Sequence, residues 1–186
     1  GGLVGLSLAI ACAEGGIDTL VIEAESPDTL TNPNYDGRTC AIAHGSQQVL
    51  HAIGAWEAMA PYAEPIRDIR VTDGGWHVKG EGHGYVHYSH LDLLDRKPAP
   101  QPPETEPDTI ISCEPEKPTA PFGYIIENRL TRIALLERAK SCANLTHLAP
   151  HVVTSLDLAS DAARVTLEDG SVLTAQLVVA ADGKQS

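Results

Sequence analysis

The sequence opens GGLVGLSLAIACAEGGIDTLVIEAE, and from Leu3 onward small or aliphatic residues occupy nearly every position up to Ala13. An apolar surface on all sides predicts a buried helix over residues 3–13, with Ser7, Ala9, Ala11 and Ala13 small enough to let it approach a sheet. Gly15 and Gly16 supply its stop. Residues 19–22 form a short continuous apolar run closing on Glu23, the pattern of a parallel strand covered on both faces. Residues 26–37, with Pro27, Asn32, Pro33, Asn34 and Gly37, read as a loop. A second helix is predicted from Ser46, with Val49, Leu50, Ile53, Trp56 and Met59 on one face and Pro61 as terminator.

The pattern then changes character. Residues 66–71 alternate apolar and charged side chains, as a half-exposed strand does, and the next dozen are rich in Gly, His and Tyr. Between Lys97 and Pro121, prolines and acids crowd into a composition that buries too little apolar area to order itself, so a mobile surface loop is expected. Helical spacing returns over residues 128–142 through Leu130, Ile133, Ala134, Leu136 and Ala139. Residues 152–158, 163–167 and 172–180 read as strands, with Glu168-Asp169-Gly170 as the turn between the last two. Strand and helix alternation places the outer segments in an α/β class, interrupted by a β-rich insertion.

Composition narrows the partners. At 186 residues and 42% hydrophobic content the chain is globular in type. Its apolar runs fall short of the roughly 18 residues that span a bilayer. A formal charge of -12 disfavours nucleic acid, whose binding draws on Lys and Arg against phosphates. The four cysteines, Cys12, Cys40, Cys113 and Cys142, form no C-x-x-C pair, which disfavours a zinc site or disulfide framework and fits a reducing cytoplasm.

The opening stretch also carries chemistry. In a dinucleotide-binding turn, G-x-G-x-x-G joins a strand to a helix, and an acidic residue follows about twenty positions on. Gly2 and Gly5 stand where the second and third glycines belong, and Glu23 stands at the acidic place. Gly2 lets backbone approach a pyrophosphate, Gly5 lets the helix pack closely, and the helix N-terminus offers free N–H groups. A carboxylate at position 23 suits a ribose and argues against a 2'-phosphate. The first glycine and the strand feeding it would precede residue 1, so the chain reads as a fragment with its first strand missing. Arg38, in DGRTCAIA, lies beyond the loop where a guanidinium reaches a phosphate or simply faces solvent.

Taken in order, the blocks GGLVGLSLAIA, DGRTCAIAHGSQQVLHAIGAW, PIRDIRVTDG, GYIIENRLTRIALLERA and LTAQLVVAADGKQS resemble the N-terminal half of the class A FAD-dependent monooxygenases. Within them the chain is most similar to the hydroxylases of ubiquinone biosynthesis. The resemblance covers nearly everything outside the stretch from Gly74 to Pro121. It implies a Rossmann-like FAD-binding domain over residues 1–65 and 123–186, with part of a β-rich substrate domain inserted at 66–122. It further implies FAD contacts at Gly2, Gly5, Glu23 and Arg38, at Asn128 before the Leu130 helix, at the backbone of Val153, and at Asp182-Gly183. The Asn128 match is the weaker one, since relatives often carry Arg or Gln there. The implied activity is aromatic hydroxylation with NAD(P)H and O2, on a quinone-precursor phenol, in the cytoplasm, peripheral to the inner membrane or in association with other biosynthetic proteins.

Catalytic residues are not assignable from the sequence, because the flavin performs the hard step and no acid–base pair need be visible. The family's second flavin motif and most of its substrate sheet would follow Ser186, so the segment is expected to be inactive alone. His77, His83, His87 and His90 invite a metal reading, but the glycine-rich, strand-like setting favours a polar strand face, and no metal site is assigned. Trp56 and Trp76 read as packing residues. Two rivals stay open: another class A flavoprotein, such as a different phenol hydroxylase or an isoprenoid reductase, and a noncatalytic nucleotide-binding module.

Overall fold

The computed structural model describes residues 1–26, 29, 37–72, 85–93, 120–159 and 162–183. The expected loops at 26–37 and 97–121, with Trp76, His77 and His83, fall wholly or mostly outside that set. The chain forms two units: Gly1–Cys40, Gln48–Ala63 and Ile126–Ser186 make the first, and Ala41–Gln47 and Glu64–Ile125 the second.

In the first unit, α1 (Leu3–Glu14) packs on β1 (Thr19–Ile22), on α4 (Asn128–Lys140) and on β7 (Leu145–Leu148). Leu6, Ala9, Ile10 and Ala13 are its buried face. Its opposite side departs from the sequence expectation of burial all round: Val4 is 78% and Leu8 43% exposed. Position 4 is nonetheless apolar, so the helix carries a second apolar stripe that nothing among the described residues covers.

Strand β1 pairs in parallel with β7, Thr19 opposite Leu145 through Ile22 opposite Leu148. The side-chain amide of Asn144 fixes the join, donating to Ala13 O and Ile17 O, while Thr19 N–H donates to Asn144 O at 2.9 Å. Strand β7 was not foreseen, because LTHL is a four-residue run of mixed polarity that neither alternates nor has a distinctive composition. Leu20 is half-exposed, so β1 is covered less completely than its apolar run implies.

Helix α4 buries Thr131, Ala134, Leu135, Leu136 and Ala139, a face rotated slightly from the expected one, with Leu130 and Ile133 at its margin. The antiparallel strands β8 (Val153–Leu158), β9 (Ala163–Leu167) and β10 (Val172–Ala175) run in the order β10-β9-β8. Ala163, Val165 and Leu167 are buried at the centre of this sheet. Gly170, at φ 82°, makes the β9–β10 turn where an L residue is strained. The expected strand at 172–180 ends at Ala175. Residues 177–180 are not in a strand, no described strand pairs with them, and Leu177 and Val179 are 77% and 55% exposed.

The helix expected from Ser46 is also corrected. Helix α2 (His44–Ala52) stops before Gly54, which adopts φ 73°, and a short α3 (Trp56–Met59) starts afresh, followed by a 3-10 turn over Ala60–Tyr62. Trp56 and Met59 are buried, as packing residues should be. Arg138 of α4 clamps this break: its Nε donates to Ile53 O at 2.7 Å, and its guanidinium also pairs with Glu14 and contacts Cys142 Sγ.

Strand β6 (Gly123–Glu127) lies between β2 (Thr39–Ala43) and β3 (Glu64–Ile66), with most of this sheet in the second unit. Gly123 is required there, since a Cβ would collide with Ile42 O. The single strand expected at 66–71 is two, β3 and β4 (Asp68–Thr72), broken at Arg67. β4 pairs antiparallel with β5 (Tyr85–Ser89). The register places Ile69, Val71, Val86 and Tyr88 on one face, and Asp68, Arg70, His87 and Ser89 on the other.

Gly54→Ala should destabilise the 186-residue chain by about 1–2 kcal/mol, because a Cβ at positive φ is strained and would sit 2.8 Å from Arg138 Nε. A urea unfolding midpoint lowered accordingly is the expected result, and an unchanged midpoint would contradict the clamp.

Candidate functional site

Parallel pairing of β1 with β7 delivers Glu23 to a defined place. Its N–H donates to Leu148 O at 2.9 Å, and its own carbonyl accepts from His151 N–H at 2.8 Å. The Glu23 side chain folds over the backbone of Gly1, so that a Cβ at position 1 would collide with it, and its Oε2 lies 3.2 Å from the Gly1 amino group. Glu23 Oε1 accepts from Glu25 N–H at 2.9 Å. The strand-end acid and the first turn of α1 therefore share one corner.

At that corner α1 begins at Gly2, which provides no side-chain cap, and the first turn holds no acid. Only Leu6 N–H starts the helical ladder, on Gly2 O. The N–H groups of a helix's first turn have no intrahelical acceptor, and together with the helix dipole they favour an anion. Ala181 passes close by: a Cβ built on Gly5 would sit 3.3 Å from Ala181 Cβ, an approach only glycine allows comfortably. This brings Asp182 and Gly183, the latter at φ 78°, beside the same turn.

The remaining predicted residues fall nearby in part. Asn128 N–H donates to Arg38 O at 3.1 Å, which joins the start of α4 to the segment after the loop. The Asn128 side-chain oxygen is buried with no hydrogen-bond partner among the described residues. Because the two amide ends are interchangeable at such a site, turning it over would place an NH2 donor at that position. Val153 is exposed on β8, two residues beyond the His151 contact with Glu23. A separate cavity of about 210 Å3 is lined by Leu136, Ala139, Lys140, Leu145 and His147, and none of the predicted cofactor residues lines it.

The described residues contain no group of three or more His, Cys, Asp or Glu placed to hold a metal. His87 Nε2 instead contacts Asp68 Oδ1 at 2.7 Å, and His90 Nδ1 lies 3.1 Å from Arg67 O. Cys12 and Cys142 are free thiols. Among the described residues no helix is long and apolar enough to cross a membrane.

Sequence reasoning missed two side chains: Arg132 on α4 donates to Glu25 Oε2 at 3.1 Å, and His147 on β7, in the separate cavity beside α4, has a buried Nε2 with no hydrogen-bond partner among the described residues. No local pattern pairs residues 107 apart, and a histidine in a short strand carries no signal of its own.

A helix opening on glycine without a cap, an acid closing the next strand and a chain segment close to Gly5 thus meet at one corner. By sequence comparison the chain matches the family described as FAD binding domain over residues 1–186 and belongs to that family. It is 37% identical over 186 residues to the ubiquinone hydroxylase UbiL of Rhodospirillum rubrum and 31% identical over 187 residues to UbiM of Neisseria meningitidis. All of this chain is covered in both matches, and it spans 36% and 35% of those relatives' lengths. Its fold is also that of p-nitrophenol 4-monooxygenase PnpA from Pseudomonas putida, with a TM-score of 0.68 at 18% identity, covering 100% of this chain and 40% of that one.

Two titrations run in the same direction. Burial pushes the Glu23 carboxyl up, but backbone N–H donors at Glu25 and Ala24 pull it down, and the net direction is below 4.5. Burial, with Lys140, lowers His147 below 6.5 against an opposing pull from Glu23. In both cases the unfolded chain binds more protons than the folded one, so stability is full at neutral pH and falls as pH drops through each window. Melting temperature should therefore decline first below about pH 6.5 and again below about 4.5. His147→Gln should flatten the upper decline and Glu23→Gln the lower; curves that stay parallel to the unmodified chain would refute the assignment.

Proposed function

We propose that this chain supplies the FAD-binding part of an aromatic hydroxylase that uses NAD(P)H and O2, acting on a polyprenyl phenol in ubiquinone biosynthesis. The observation that carries the reading is the corner where the uncapped start of α1, the Glu23 carboxylate and the segment at Ala181 meet, in a chain of the FAD binding domain family. The names of UbiL and UbiM supply the substrate class, and the aromatic hydroxylase PnpA shares the fold.

In this reading Gly2 and the first N–H groups of α1 hold the diphosphate, Gly5 keeps the helix against Ala181, and Glu23 accepts from the adenosine ribose. Val153 borders the adenine through its backbone, Asn128 reaches the phosphates, Arg38 the flavin side, and Asp182-Gly183 the passing cofactors. Residues 1–65 and 123–186 form the cofactor domain, and 66–122 belong to the substrate domain. FAD when bound supplies the redox step, in which one oxygen atom of O2 enters an electron-rich ring and the other leaves as water at the expense of one NAD(P)H. The chain's own part is to bind and orient. The reading places the enzyme in the cytoplasm or at the inner face of a membrane.

Purified full-length protein should be yellow, with stoichiometric FAD. Glu23→Arg should raise the FAD dissociation constant about tenfold to a hundredfold, from a lost charge-assisted hydrogen bond and a reversed charge. Protein that takes up no FAD would end the proposal. A deletion strain should accumulate an unhydroxylated quinone precursor, whereas unchanged quinone levels would move the substrate to another phenol.

A further inference from the structure

Glu23 is held by more than its strand. Its backbone hangs on Leu148 O and His151 N–H, but its carboxylate is oriented by the N–H of Glu25, two residues on. Glu25 is not itself in a strand. What anchors it is Arg132 of α4, whose Nη1 lies 3.1 Å from Glu25 Oε2. Arg132 sits one helical turn beyond Asn128 on the same side of α4. The ion pair thus ties the loop that aims the Glu23 carboxylate to the helix that begins at Asn128.

Charge gives the pair a second consequence. Glu23 and Glu25 are two carboxylates at a corner whose ligand, on the FAD reading, brings a diphosphate. An unpaired Glu25 would add repulsion there, and Arg132 offsets it.

We propose that the Glu25–Arg132 pair is a positioning element for the cofactor: Arg132 acts through Glu25 on the orientation of Glu23 and on the local charge, without touching FAD. The inference rests on the FAD reading above. Both side chains are part-exposed, at 51% for Glu25 and 29% for Arg132, so the effect is that of a solvent-screened pair.

The test measures FAD affinity by flavin fluorescence quenching on the deflavinated full-length protein, in single variants and in a charge swap. Arg132→Gln should raise the dissociation constant about two- to fivefold, the range of an exposed ion pair. Glu25→Gln should raise it less, since it removes the repelling charge along with the tether. Arg132→Lys should retain most of the affinity, and the swap Glu25→Arg with Arg132→Glu should bring it back to within about twofold of the unmodified protein. Raising salt should shrink the Arg132→Gln effect. Unchanged affinity in Arg132→Gln, additive losses in the swap, or a lower melting temperature of the apoprotein with unaltered FAD affinity would each overturn the positioning role. These failures leave the FAD reading intact if Glu23→Arg still weakens binding, whereas an unmodified protein that binds no FAD removes both.

Discussion

The parallel pairing of β1 with β7 is the constraint on which the candidate site depends. It fixes where β1 ends, and so where Glu23 emerges, because the Glu23 N–H belongs to the ladder through Leu148 O and its carbonyl is taken by His151. Parallel strands require a crossover, and here the long connection returns through α4, which packs on α1 and leads directly into β7. One set of contacts therefore holds the helix start, the strand end and the first residue of α4 in a common frame. Glycine keeps the arrangement compact: at position 1 the Glu23 side chain occupies the space a Cβ would take, and at position 5 a Cβ would press on Ala181 at 3.3 Å.

The local parts of this arrangement were legible in the sequence, since α1, its glycine stop, β1 and Glu23 are encoded within twenty-five contiguous residues. What the sequence concealed was non-local. Strand β7 is four residues of mixed polarity, and only its pairing with β1 makes it a strand. Residues 177–180 show the converse, for LVVA has strand composition but no described strand beside it, and composition alone does not make a ladder. The break at Gly54 was hidden because the apolar spacing continues across it from Leu50 to Met59, while the backbone turns through positive φ. The Glu25–Arg132 and Arg138 contacts join distant segments and have no signature in either.

Both units carry exposed apolar side chains, among them Ile69, Val71, Val86 and Tyr88 in the second. Val4 and Leu8 on α1, Leu20 on β1, and Leu177 and Val179 beyond β10 all face outward despite side chains suited to a core. The chain spans little more than a third of its curated relatives' lengths. An α1 that is apolar on every side is consistent with a helix that packs on more than the described residues provide. The charge balance of the corner is different: the Glu23 carboxylate is accompanied by a second acid, Glu25, and by an arginine, Arg132, that pairs with it.

The central claim is that Glu23 and the start of α1 hold the two ends of an adenosine diphosphate group. A crystal structure of the full-length protein with FAD tests it most directly. The account predicts the ribose hydroxyls within hydrogen-bond distance of the Glu23 carboxylate and the diphosphate against the N–H groups following Gly2. A bound FAD whose adenosine lies elsewhere, with Glu23 facing solvent, would contradict it.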